Sequence, residues 1–338
     1  MFRVPYQELF DTLFQVLLKT GFEQERATLS ARLFTDATCD GVYSHGVNRF
    51  QQYVRMIHNG TIDIRAQPEL VASHGSLERW DGRLGPGNLN AHHCMERAIA
   101  IARDSGIGCV ALAKTNHWMR GGSYGWQAAE AGAIGICWTN TMSNLPPWGA
   151  SGPRLGNNPL VIAVPRPGGH VVLDMAMSQF SYGTLASYRR SGKPLPVEGG
   201  YDAAGRLTRD AAAIEASQRP LPIGYWKGSG LSLVLDMMGA MLSGGWATHQ
   251  IRSDTFKETG ISQVFIALDL SSLDRDGFAA RISDEIVKHL KSMPDAEPDV
   301  RYPGEKTLRT RKENLEKGIP VEPAIWQSVK ALLEPSAS

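Results

Sequence analysis

The stretch that decides the fold runs from Asn90 to Asn140: NAHHCMERAIAIARDSGIGCVALAKTNHWMRGGSYGWQAAEAGAIGICWTN. Residues 90–106 read as a helix ending in glycine, and the GCVALA run from Gly108 reads as a strand. GGSYGWQAAEAG is helical again, and AIGICWTN from Ala133 is a second strand. Helices alternating with short apolar runs point to a mixed α/β domain. Within the stretch, Gly106-Ile107-Gly108-Cys109-Val110-Ala111 imitates a dinucleotide-binding loop. It follows a helix and enters a strand, the reverse of the order that would place a pyrophosphate on a helix N-terminus, so it reads as a turn. With no G-x-G-x-x-G opening a helix and no P-loop elsewhere, any dinucleotide site here is not of the Rossmann kind.

Moving towards the C-terminus, LVIAV from Leu160, VVLDMAM from Val171 and QVFIALDL from Gln263 read as further strands. GSGLSLVLDMMGAMLSGG, from Gly228, reads as a long apolar helix. Residues 275–293 form another helix, 294–304 a Pro- and Asp-containing loop, and two short helices close the chain. Moving towards the N-terminus, helical patterns cover about Pro5 to Lys19 and Gln24 to Cys39, each stopped by a glycine. A third segment carries Val47, Phe50, Val54 and Ile57 near one face, with Ser44 where an N-cap belongs. The expected layout is a helical domain built from both chain ends (1–75 with 290–338) beside an α/β domain (76–289).

Composition closes several function classes. Among 338 residues, 35 Lys and Arg balance 34 Asp and Glu, giving a formal charge of +1 with no run of like charges. That is no footprint for nucleic acid. The 42% hydrophobic content and 35 glycines fit a globular chain with many turns. The amphipathic N-terminal helix is not a signal peptide, and no run approaches the roughly 18 apolar residues of a membrane span. Four scattered cysteines, Cys39, Cys94, Cys109 and Cys137, make a poor disulfide framework. The chain is expected to be cytoplasmic, with no membrane partner.

Ser44-His45-Gly46-Val47-Asn48-Arg49 carries the best local chemistry. If a helix begins here, His45 lies in its first turn and Arg49 four residues on, along the same face. Arg49 can grip a carboxylate through two hydrogen bonds, and the helix end lowers the pKa of His45. A proton donor beside a carboxylate clamp suits reduction of a 2-oxo acid; a surface histidine and an ordinary helical arginine remain the plain alternative. Asn116-His117-Trp118-Met119-Arg120-Gly121-Gly122 follows a strand and precedes a helix, where site residues often lie; a packed Gly-rich turn is the competing reading. Trp226-Lys227-Gly228-Ser229-Gly230 suits a phosphate-bearing cofactor or a simple helix start. Asp174 could accept from a ribose or cap a turn. His92-His93-Cys94 cannot converge on one ion if helical, because neighbouring side chains diverge, so no metal site is expected.

Taken together, GVYSHGVNRF, NHWMRGGSYGWQAAE, IGICWTN, PPWGA, FSYG, GYWKGSG and GISQVFIA closely resemble the malate/L-lactate dehydrogenase family with a non-Rossmann fold, over residues 1 to about 330. The resemblance implies an NADH-dependent homodimeric reductase, with NADPH as a weaker cofactor, acting on the 2-keto group of an open-chain sugar acid. It places the proton donor on His45 and substrate contacts on Ser44, Arg49 and His117. The implied cofactor segments are His170, Val171, Val172, Leu173, Asp174, Met175 and Ala176; Trp226 and Lys227; and Gly304, Glu305 and Lys306. Glu305, where the pattern has His, and Asn157, where it has Thr, depart from it. Alternatives are a relative acting on lactate, malate, ureidoglycolate or a cyclic imino acid, a metal-dependent hydrolase, or a non-catalytic sugar-acid binder.

Overall fold

The computed structural model describes residues 2–252, 254, 258–274, 276–292 and 300–334. Near the N-terminus, β1 (Arg3–Val4) is followed by α1 (Tyr6–Lys19), α2 (Gln24–Cys39) and α3 (Val47–His58). Helical spacing sets Leu9, Leu13, Val16 and Leu17 on the buried side of α1. They meet Phe34 of α2, and Phe50 and Tyr53 of α3, in one apolar cluster. The chain's end joins the same cluster through Ile319, Val321, Trp326 and Val329.

The centre is a seven-stranded sheet. Its strands are β2 (Glu69–His74), β3 (Leu77–Asp81), β4 (Ile107–Thr115), β5 (Ile134–Thr139), β6 (Leu160–Val164) and β7 (Val171–Met175). Two two-residue strands, β8 (Gly200–Tyr201) and β9 (Leu207–Thr208), pair apart from it, and β10 (Ile261–Leu268) completes it. The order is β2-β3-β4-β10-β5-β6-β7, with β3 and β4 parallel and every other neighbour antiparallel. Such a sheet is not the parallel one of a Rossmann domain.

Side-chain alternation divides the sheet's two faces. Val110 and Leu112 of β4 and Phe265 of β10 face a cluster with α4 (Gly87–Ser105) and α5 (Gly122–Glu130). Ala111 and Val264 face the opposite cluster, which holds Leu235 of α8 (Trp226–Ser243). Between β7 and α8 lie α6 (Tyr182–Ser191) and α7 (Ala211–Ser217). The C-terminal elements are α9 (Phe278–Lys291), α10 (Glu305–Lys317), β11 (Ile319–Pro320), which pairs with β1, and α11 (Pro323–Ala331). Gly106 ends α4 at φ +80°, and a Cβ on Gly108 would come within 2.1 Å of the Ala98 carbonyl. The apparent nucleotide loop is therefore a turn that lets helix and strand pack closely.

Two expectations change. Segment 69–75, assigned to the helical part, supplies β2, an edge strand of the central sheet. Its side chains are exposed throughout, so no buried alternation marked it in the sequence. Ser44 does not cap α3: Tyr43–His45 form a single 3-10 turn, Gly46 precedes the helix, and the Val47 amide donates to Thr38 Oγ1 at 2.9 Å. Residues 275 and 293, at the ends of the expected late helix, and 294–299 of the following loop lie outside the described residues.

Candidate active site

A large cleft, about 1220 Å³, is lined from both chain ends and from the sheet. Ser44 and His45 reach it from the turn after α2, and His117 through Gly121 from the loop after β4. Local packing accounts for both placements. A Cβ on Gly46 would lie 2.3 Å from Thr38 Oγ1, so only glycine lets the turn sit against α2. In the second loop, buried Asn116 donates to the carbonyls of Leu84 (2.7 Å) and Gly85 (2.9 Å), and Tyr124 Oη donates to the Trp118 carbonyl at 2.5 Å.

These loops bring two imidazoles together. The rings of His45 and His117 stack with centroids 5.7 Å apart and planes 21° apart. His117 Nδ1 accepts the Met119 amide at 2.9 Å, so in the neutral ring the proton belongs on Nε2. His45 Nδ1 lies 3.0 Å from Ser44 Oγ. Burial, then the charges of Arg49 and Arg120, lower the pKa of His45 to about 4. Burial, Arg49 and His45 push His117 down as well. The expected lowering is therefore present, but its cause is burial and two guanidinium groups, since His45 precedes α3. Arg49 does not line the open cleft; its charge acts on His45 and His117, and buried Glu258 is in its electrostatic reach.

The expected cofactor segments are only partly gathered. Val172, Leu173, Asp174 and Ala176 line the cleft, as do Gly304 and Lys306. His170, Val171 and Met175 do not; the His170 ring instead accepts the Arg166 amide at 3.2 Å. Glu305 turns away, pairing with Lys291 and accepting from the Tyr302 amide, so this departure from the family pattern does not face the cleft. Asn157 does line it, and takes a hydrogen bond from Thr141 at 3.1 Å. Trp226 and Lys227 begin α8 outside this cleft, with Trp226 66% exposed. Asp174 Oδ2 accepts the Gly122 amide at 2.9 Å and thereby caps α5; the side chain still faces the cleft.

Sequence reasoning left unassigned Asn48, Arg120, Thr141, Ser181 and Thr184, all of which line the cleft. The FSYG motif was a usable signal: a Cβ on Gly183 would come within 2.7 Å of Ser44 Cβ, so that glycine seats α6 against the histidine turn. His92 and His93 line a different cleft, between α2 and α4, while Cys94 is fully buried.

Residues 4–330 match the malate/L-lactate dehydrogenase family. The chain belongs to that family. It is therefore an oxidoreductase of the dehydrogenase and reductase type acting on hydroxy or keto acids. Over 334 residues it is 46% identical to 2,3-diketo-L-gulonate reductase of Klebsiella pneumoniae (strain 342), covering 98% of this chain and all of that protein. Among solved structures, it superposes on sulfolactate dehydrogenase from Methanocaldococcus jannaschii with a TM-score of 0.90 at 28% identity, covering 98% and 96% of the two chains. For Δ1-piperideine-2-carboxylate reductase from Pseudomonas syringae the TM-score is 0.88 at 27% identity, covering 98% and 100%. The non-Rossmann α/β architecture expected from the sequence is thus that of this dehydrogenase family. Among the described residues, no helix is long and apolar enough to cross a membrane.

Proposed function

We propose that this dehydrogenase-family chain is an NADH-dependent reductase of 2,3-diketo-L-gulonate, forming 3-dehydro-L-gulonate, with His45 as proton donor. The observation that carries the reading is the stacked His45–His117 pair within electrostatic reach of Arg49, in a chain 46% identical to a reductase of that name. NADH, when bound, supplies the hydride. The protein's part is to fix the substrate and manage one proton. Arg49 meets the carboxylate, Ser44 and His117 Nε2 bond substrate oxygens, and His45 delivers its proton to the oxygen of the carbonyl being reduced. At rest His45 is neutral near pH 7. An arriving carboxylate offsets the Arg49 charge and favours the imidazolium that the reaction consumes.

The cleft suits a dinucleotide in three ways. Gly304, at φ +95°, packs where a Cβ would sit 3.1 Å from the His170 carbonyl and the Val172 amide. Asp174 keeps one carboxylate oxygen for a ribose hydroxyl, and a buried Arg120 Nε lacks an acceptor. Trp226 and Lys227 belong to the cofactor site through a second copy of the chain. In support, the outer face of α8 exposes Leu233, Val234, Met237, Met238 and Met241, an apolar surface that water does not favour. A helical unit from both chain ends, an α/β cofactor unit and a homodimer complete the proposal. The cytoplasm is the proposed compartment, supported by four free thiols.

The test is a panel of 2-oxo acids assayed with NADH and with NADPH: 2,3-diketo-L-gulonate, pyruvate, oxaloacetate, 3-sulfopyruvate and a cyclic imino acid. The expected result is the highest kcat/KM on the diketo acid with NADH. A higher value on pyruvate or oxaloacetate would assign a lactate- or malate-type activity instead.

A further inference from the structure

Arg120 has no part in the reaction as described so far, although it lines the cleft and is only 6% exposed. One terminal nitrogen donates to Asp40. Asp40 is not its partner alone: Arg311 Nε and Nη2 also donate to the same carboxylate, at 2.6 and 2.7 Å. Arg311 is held in turn over the Trp126 ring, 4.7 Å from its centroid. Two guanidinium groups thus share the Asp40 carboxylate, while Asp36 and Glu130 also act on Arg311 and Asp174 on Arg120. The Arg120 Nε–H is buried without a hydrogen-bond partner. It lies 3.3 Å from the point where a Gly122 Cβ would stand, and Asp174 Oδ2 lies 2.7 Å from that same point. The Arg120 cation, with its open Nε–H, therefore sits within electrostatic reach of both His45 and Asp174 in the wall of the cleft.

A group in that position acts on whichever cofactor form is bound. The nicotinamide ring is uncharged in NADH and cationic in NAD⁺. We propose that Arg120, fixed by the Asp40–Arg311 pair, biases this cleft towards the reduced cofactor by repelling the oxidised, cationic ring. The inference rests on the NADH reading above. The chain carries its own gauge of the effect, since Arg120 is one of the two charges that disfavour the cationic form of His45. Arg49 serves this purpose less well, because Glu258 and the substrate carboxylate both offset it. Asp174 acts on the ring in the opposite sense, so the contribution of Arg120 is read as a difference between variants. At an effective dielectric of about 20, a unit charge about 12 Å away already shifts an affinity ratio by about tenfold.

Calorimetric titration of NADH and NAD⁺ into the full chain tests this without any turnover. The wild type is expected to bind NADH at least about tenfold more tightly than NAD⁺. Arg120→Met should lower the ratio Kd(NAD⁺)/Kd(NADH) about tenfold, partly by tightening NAD⁺ binding, a gain that misfolding does not produce. Arg120→Lys, which keeps the charge, should hold the ratio within about threefold of wild type. A ratio in Arg120→Met within about twofold of wild type overturns the inference, as does a wild type that binds both forms equally, a result that needs no variant. If the wild type binds neither form, the NADH reading itself fails, and the inference with it.

Discussion

Two segments look alike in the sequence and end in different surroundings. Ser44–Arg49 and Trp226–Gly230 each put a cation and small polar residues beside the start of a helix. The first is enclosed: Thr38 bonds the Val47 amide, Gly183 packs on Ser44, and His117 stacks on His45. The second opens α8, whose inner side packs through Leu235 and Gly239 while its outer side shows methionines to solvent, Met241 at 73% exposure. Local sequence can specify where a helix starts. What that start faces depends on packing, and for α8 a single chain provides no cover among the described residues.

The largest effect should come from the enclosed segment. His45→Ala is expected to lower kcat by about 10²–10⁴-fold while leaving NADH affinity little changed. Near-wild-type turnover would remove His45 from the proton step. The pH profile gives a second reading. Reduction needs the imidazolium, so kcat/KM should rise as pH falls and level off near 4, where free His45 titrates. The same depressed pKa has a stability consequence. Between the ordinary value of 6.5 and about 4, the unfolded chain binds more protons than the folded one, so stability should fall as pH drops through that window. His45→Asn should flatten part of that slope in a thermal melt.

Arg49 comes next. Arg49→Lys keeps the charge but loses the planar fork, and Arg49→Met loses both. The expected losses in kcat/KM are about one and about two decades. Both should shrink on a substrate whose carboxylate has been replaced by an amide. Equal losses on acid and amide would make Arg49 a structural residue, and the enclosed segment would then hold a proton donor without a clamp.

How much of this was legible varies with the range of the cause. LVIAV is β6 to the residue, and the first five residues of the expected VVLDMAM strand form β7, because their apolar side chains alternate into the clusters on the sheet's two faces. The β2–β3 hairpin was missed because an exposed edge carries no such pattern. The histidine turn was found but misread as the first turn of a helix; Gly46, squeezed against Thr38, holds the chain out of helical geometry there. Arg120 stood in plain view within WMRGG, yet its place depends on Asp40 and Arg311, far away along the chain. No local spacing encodes a three-way contact of that kind.

The open segment is tested by breaking its proposed cover. A Met237→Glu, Met241→Glu double variant puts charge on the outer face of α8, away from the cleft. Sedimentation should show a monomer, and NADH binding should weaken about tenfold, as it should for Lys227→Ala within an intact dimer. If the double variant is monomeric yet binds NADH as the wild type does, Trp226 and Lys227 lie outside the cofactor site, and the likeness between the two segments is accidental.

The smallest effect concerns Asp174, which joins the two readings in one side chain. Its Oδ2 accepts the Gly122 amide at 2.9 Å and so caps α5, a structural duty that any acceptor can perform. Its charge is a separate matter: in the proposed cofactor site the carboxylate would face the ribose and repel the extra phosphate of NADPH. Asp174→Asn separates the two, because the amide oxygen can still accept from Gly122 while the charge is gone. The expected outcome is an unchanged melting temperature, within about 2 °C, and a preference for NADH over NADPH relaxed by roughly three- to tenfold, within the span of a charge effect at a partly solvated site. Wild-type discrimination in a variant that melts earlier would reverse the assignment, leaving Asp174 as a helix cap whose position in the cleft wall is incidental. Discrimination lost together with the melting temperature would show that the cap and the ribose contact are one and the same bond.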